Sequence, residues 1–219
     1  MNRSFLAALL PALLLSSPAR AAPTIDRATL LSRFRTHMAD PSCSGSGTRW
    51  RGQYAPFVRR LDRGGDRVQS LFVDVMDRMI SAGLPTEYAL IPFVESHYLP
   101  GARSGQGPAG MWQFTEGTAR VHGLKVAKGR DDRLSPDAST RAAVAYLKTL
   151  HRQFHGDWRT VLMAYNAGDG RMRAAKRSGR VGSLSPITRN YPDKIEAIAC
   201  EITRERAPRR GHGHYASEG

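Results

Sequence analysis

Between Val68 and Ala82 the apolar residues Leu71, Phe72, Val75, Met76, Met79 and Ile80 recur at intervals of three and four, which gathers them on one helical face and would scatter them across both faces of a strand. Gly83 supplies the stop, and Pro85 restarts a second helix that runs to Glu95 with Pro92 bending it from within. The same spacing returns at Ala142, Ala145, Tyr146, Leu150 and Phe154, opened by Ser135 and Pro136 and ended by Gly156. It returns again at Trp158, Val161, Leu162 and Tyr165, between an Asp157 cap and Gly168, and at Ile195, Ile198, Ala199 and Ile202 behind Pro192. Thr24 to Met38 suits a short helix through Ile25, Leu30, Leu31 and Phe34, and Thr115 caps another that runs through Val121. No alternating pattern competes beyond a short hairpin in the loops, so the expected fold class is all-α.

Loops are marked by composition. Asp40 to Gly47 is polar and rich in Gly and Ser, Leu99 to Met111 carries four glycines and two prolines, and Arg171 to Ser185 reads as a basic linker. The chain begins with a basic Met1-Asn2-Arg3, an apolar stretch from Ser4 to Leu15, and the small-x-small pattern Ala19-Arg20-Ala21, the form of a cleaved secretory leader. That apolar stretch is too short to span a bilayer, and no cysteine adjoins the cleavage pattern to carry a lipoprotein anchor. The expected organisation is a leader over 1–21, an N-terminal arm over 22–67, one helical domain over 68–203, and a basic disordered tail over 204–219. A periplasmic or secreted location follows. Export permits a bridge between the two cysteines, Cys43 and Cys200, which would tie the arm to the last helix.

The formal net charge is +14, and losing Arg3 and Arg20 with the leader still leaves +12. Such a chain favours polyanions: acidic wall polymer, an anionic membrane surface, or nucleic acid. Nucleic acid is set aside, since the arginines do not interleave with aromatic residues as a stacking platform and an exported chain does not meet the genome. His151 and His155 have the four-residue spacing of a zinc pair, but Arg152 stands where the metalloprotease pattern has Glu, so both read as solvated helix histidines. No metal or other cofactor is expected.

Glu95 ends the apolar run Tyr88-Ala89-Leu90-Ile91-Pro92-Phe93-Val94 at a helix C-terminus. Desolvation and the negative end of the helix dipole both disfavour its ionised form, which leaves a protonated acid near neutral pH. Spacing alone equally allows a solvated carboxylate at a helix end. Glu95-Ser96, Gly110-Met111-Trp112-Gln113, Ala164-Tyr165-Asn166-Ala167-Gly168 and Thr188-Arg189-Asn190-Tyr191 together, in this order, resemble the lytic transglycosylases whose catalytic domain is like goose-type lysozyme, closest to the membrane-bound lytic murein transglycosylase D branch.

The resemblance implies a lysozyme-like helical domain with a glycan groove, and cleavage of the MurNAc-GlcNAc bond of peptidoglycan to leave 1,6-anhydro ends. It assigns Glu95 as the acid that protonates the glycosidic oxygen and then, as base, takes the proton of the C6 hydroxyl. A second carboxylate, which most glycosidases need, is absent from the motifs. Of the nearest acids, Asp137 reads as first-turn decoration and Asp131 with Asp132 as a solvated turn. Ser96 either hydrogen-bonds near the acid or caps the helix end. Gln113 is assigned to a sugar amide, Met111 and Trp112 to a sugar face or the core, Tyr165 to the groove or core packing, Asn166 to the groove, and Tyr191 to the acid or to packing at the helix entry before Pro192. Ser104 and Gln106 are candidates for the groove loop. The expected partner is the peptidoglycan glycan strand, bound by a monomer that also touches anionic wall or membrane components through its basic surface.

Overall fold

A computed structural model describes residues 26–43, 48–61 and 67–204, so the expected leader and all but the first residue of the expected tail lie outside it. Helices α1 (Arg27–Thr36), α2 (Thr48–Leu61) and α3 (Arg67–Ser81) come first, followed by a 3-10 segment, Thr86–Leu90, that runs directly into α4 (Ile91–Ser96). Beyond the Gly/Pro loop lie α5 (Glu116–Val121) and a two-residue hairpin, β1 (Val126–Ala127) with β2 (Arg130–Asp131), in which Val126 faces Asp131. Then come α6 (Pro136–Gln153), α7 (Trp158–Ala167), α8 (Asp169–Arg177), α9 (Pro186–Arg189) and α10 (Tyr191–Thr203).

Local chemistry sets the helix starts. The side chains of Asp26, Thr115, Ser135, Asp157 and Ser185 each accept the backbone N–H three residues on, a cap worth about 1 kcal/mol apiece. Helix α3 then supplies the centre of the core. Phe72 is fully buried, with its ring 5.9 Å from Phe34, 5.7 Å from Phe93 and 6.2 Å from Tyr98. Each such side chain contributes about 1.5–3 kcal/mol relative to exposure.

Three local expectations are corrected. Pro92 does not bend a longer helix: it lies in the first turn of α4, where its missing N–H has no intrahelical partner to lose. No element was expected between Gly47 and Val68, yet that stretch holds α2, whose Tyr54, Val58 and Leu61 are buried and which packs extensively along α10. The stretch expected as a basic linker begins with α8, which buries Met172 and Ala175 while its arginines face outward. In both helices long cationic side chains are interspersed among the apolar anchors, and the anchors decide.

The arm is fastened at three points. Cys43 and Cys200 are disulfide-bonded, with Cα atoms 5.5 Å apart across 157 positions of sequence. Glu87 is buried, and its carboxylate accepts the Ala39 and Asp40 amides, each at 3.0 Å. The Thr86 hydroxyl donates to the Phe34 carbonyl at 2.7 Å. Among the described residues no helix is long and apolar enough to cross a membrane, and no group of three or more His, Cys, Asp and Glu could hold a metal ion.

Candidate active site

Glu95 is the penultimate residue of α4, and the helix stops there because the next two residues are left-handed, His97 at φ 54° and Tyr98 at φ 60°. The Tyr98 amide turns back to the Pro92 carbonyl at 3.0 Å, closing the helix end. For residues other than glycine this conformation costs about 1 kcal/mol or more each, so the surroundings must enforce it. Tyr98 does so by burial: its ring stands edge-on to Phe93 at 4.8 Å, and its hydroxyl donates to the Ala89 carbonyl at 2.6 Å.

The carboxyl of Glu95 borders a cavity of about 390 Å³ whose walls include Ser104, Gln113, Phe114, Tyr146, Tyr165 and Asn166. Among its described lining residues Glu95 is the sole acid. The Tyr191 hydroxyl donates to Glu95 Oε1 at 2.5 Å. Burial raises the Glu95 carboxyl above the ordinary carboxylate range, although the Tyr191 hydrogen bond and the charge of Lys194 pull the other way. The phenols of Tyr191, Tyr165 and Tyr54 are pushed up chiefly by burial and further by the Glu95 charge, so all three remain neutral donors beside the acid.

The opposite wall is shaped by the Gly/Pro loop. Gly110 has φ +78°, and a Cβ there would lie 1.8 Å from the Arg133 carbonyl oxygen, so only glycine fits. Arg133 is buried; Asp131 holds it through Nε and Nη2 at 2.9 Å each, and its Nη1 donates to the Gly107 carbonyl at 2.9 Å and the Phe114 carbonyl at 3.1 Å. The arginine thereby ties Gly107 to Phe114 across the turn that carries Gln113. Gln113 is again left-handed, φ 48°, and its Nε2 donates to the Gly110 carbonyl at 2.7 Å.

The residues singled out from sequence separate into two groups. Glu95, Ser104, Gln113, Tyr165 and Asn166 line the cavity, and Tyr191 reaches it through the acid. The Tyr165 hydroxyl donates to the Trp112 carbonyl at 2.7 Å, while Asn166 Oδ1 accepts from Thr188 at 2.8 Å. Ser96 and Met111 stand behind the wall. The Ser96 hydroxyl, buried, donates to the Met111 carbonyl at 2.9 Å and so fastens the acid's helix to the loop. The Met111 side chain is only 1% exposed and belongs to the core, which corrects the sugar-face alternative for it. Trp112 is likewise buried, its indole donating to Thr140 at 3.2 Å.

Further corrections concern polar residues. Asp131 is not a solvated turn residue but the partner of Arg133, and His151 is not free in solvent, since Nδ1 lies 3.0 Å from the Tyr88 hydroxyl. Sequence reasoning missed Arg133, Tyr54 and Tyr146. Tyr54 left a signal, because Trp50, Tyr54, Val58 and Leu61 fall at helical spacing. A buried arginine in a short turn leaves none.

Comparison with known proteins shows what the chain is similar to. Residues 80–183 match the transglycosylase SLT domain family. The chain is 40% identical over 125 residues to membrane-bound lytic murein transglycosylase D of Escherichia coli K12, covering 53% of this chain and 28% of that protein. It is 41% identical over 114 residues to the peptidoglycan transglycosylase gp16 of Escherichia phage T7, covering 50% of this chain and 9% of that one. The chain thus spans well under a third of either relative. Among solved structures, the 70 kDa soluble lytic transglycosylase of Escherichia coli superposes with a TM-score of 0.51 at 25% identity, covering 59% of this chain and 23% of that one. Its complex with bulgecin A gives the same TM-score of 0.51 at 24% identity, covering 61% and 23%. Over residues 80–183, just under half of its length, this chain is thus similar to the transglycosylase SLT domain family, and its helical fold is like that of the soluble lytic transglycosylase.

Proposed function

We propose that this chain cleaves the β-1,4 bond between N-acetylmuramic acid and N-acetylglucosamine in peptidoglycan as a lytic transglycosylase, with Glu95 as acid and then base. The observation that carries the reading is a single carboxyl on the cavity wall, raised by burial and held by the Tyr191 phenol. A glycosidic oxygen leaves only when protonated, and a neutral Glu95 supplies that proton. Since the described wall residues offer no second carboxylate to attack the anomeric carbon or to activate water, the substrate stabilises its own cation through the 2-acetamido oxygen. Ionised Glu95 then takes the proton of the C6 hydroxyl as that oxygen bonds to C1 of the same sugar. The attack is intramolecular and gains from proximity.

The wall chemistry suits an amidated sugar. Gln113, Asn166 and the Tyr165 phenol offer amide and hydroxyl groups, and Phe114 with Tyr146 offers apolar faces for a pyranose ring. The relatives' names support peptidoglycan as the substrate, and the sequence of residues 1–21 supports export to the periplasm or beyond. The protein acts as a monomer, with its cationic surface drawn to anionic wall or membrane components.

The test is a digest of purified peptidoglycan by the chain without residues 1–21 and by its Glu95→Gln variant. Muropeptides lighter by one water than reducing-end products are expected from the parent, and a loss of about a hundredfold or more from the variant. Reducing ends would assign a hydrolytic muramidase; undiminished activity in the variant would overturn the role of Glu95.

A further inference from the structure

Helices α2 and α10 both lie outside residues 80–183, the stretch that matches the family, yet they pack along each other and α10 delivers Tyr191 to Glu95. Two residues of α2, one turn apart, face the same place. Tyr54 is 4% exposed, and its phenol feels the Glu95 charge. The face of Trp50 lies beneath the Lys194 ammonium, 4.9 Å from ring centroid to Nζ, within cation-π range. Lys194 stands one turn after Tyr191 on α10, and its charge acts on Glu95. A lysine on a flexible four-carbon stem would otherwise swing into solvent, where water would screen that action.

We infer that α2 is a positioning arm for the acid: Trp50 seats the Lys194 ammonium, and through it the N-terminal arm fixes the charge environment in which Glu95 gives up and regains its proton. The groups facing Glu95 are Tyr191 and Lys194 from α10, Tyr54 from α2 and Tyr165 from α7. Lys194 is the cation of this set. Its charge counterbalances desolvation, so that the same carboxyl that must be protonated for bond breaking is not too reluctant to ionise for the second step. The disulfide fastens the chain just ahead of α2 to the same helix, Cys43 to Cys200.

This inference rests on the proposed role of Glu95, and its test reads the carboxyl directly as well as activity. The carboxyl carbon of Glu95 is titrated by NMR, identified by its disappearance in Glu95→Gln, in the parent and in Lys194→Met, Lys194→Arg, Trp50→Leu and the Trp50→Leu/Lys194→Met double variant. Lys194→Met should move the Glu95 titration upward, with the basic limb of the activity profile following it, and Lys194→Arg should restore the parent value. Trp50→Leu should move it in the same direction, and the double variant should go no further than Lys194→Met alone. An unmoved titration in Lys194→Met or in Trp50→Leu, or a double variant shifted beyond Lys194→Met, would overturn the inference. A titration that moves as expected in a protein lacking wall-cleaving activity would leave it standing and overturn the proposed function instead.

Discussion

In its proposed role, Glu95 serves reaction and stability in opposite senses. Because burial raises its carboxyl, the folded protein holds that proton more tightly than the unfolded chain does. The stabilising contribution is therefore complete below the unfolded carboxyl's titration and is lost as pH rises through the higher folded value. Tyr191 and Lys194 reduce the loss without removing it. A Glu95→Gln variant cannot ionise and its amide oxygen can still accept from Tyr191, so it should melt above the parent at neutral and alkaline pH. The two should converge in acid, and thermal midpoints measured across pH check both limits. The residue identity was legible from the apolar run before it; the hydrogen bond from Tyr191, 96 positions away, was not.

The elements that flank the acid are short and strained, and the Gly/Pro loop is the clearest case. Gly110 combines a positive φ with backbone contact to Arg133, so neither rotation of a side chain nor repacking can make room for a Cβ. Gly110→Ala should destabilise the domain by about 3 kcal/mol or more, read as a lower denaturant midpoint, with activity falling alongside because Gln113 hangs from the same turn. The neighbouring Gly105 and Gly107 have open space where a Cβ would go. At Gly105, which lacks the positive φ, alanine should be mild by comparison. Composition marked this whole stretch as a tight loop. Which glycine is irreplaceable depended on the path of Arg133 beneath it.

Over the whole molecule, the arm and the domain form one unit through α2, Glu87 and the disulfide. Closing 157 positions with one bridge removes much of the freedom of the unfolded chain, and loop-closure entropy puts the stabilisation at about 5 kcal/mol before offsets in either state. The Cys43→Ser/Cys200→Ser variant should unfold at a clearly lower guanidinium midpoint and resemble the parent under reducing conditions. If the parent is indifferent to reductant, the bridge contributes nothing to equilibrium stability. Export to an oxidising compartment would thus complete the fold.

Local sequence features were enough for the helical class, most helix starts, the position of Glu95 at the end of an apolar run and the order of the motifs that follow it. Those properties are local: apolar spacing, a capping side chain or a glycine acts within a few residues. It left open which motif residues face the cavity and which face the core. Ser96 and Met111 were grouped with Gln113 and Tyr165, and only tertiary packing turned them to the other side of the wall. Tertiary structure alone also decided that α2 belongs beside the acid. Its helical stripe was written in Trp50, Tyr54, Val58 and Leu61, but no local rule says what a stripe will cover, because burial is settled by the surface that meets it.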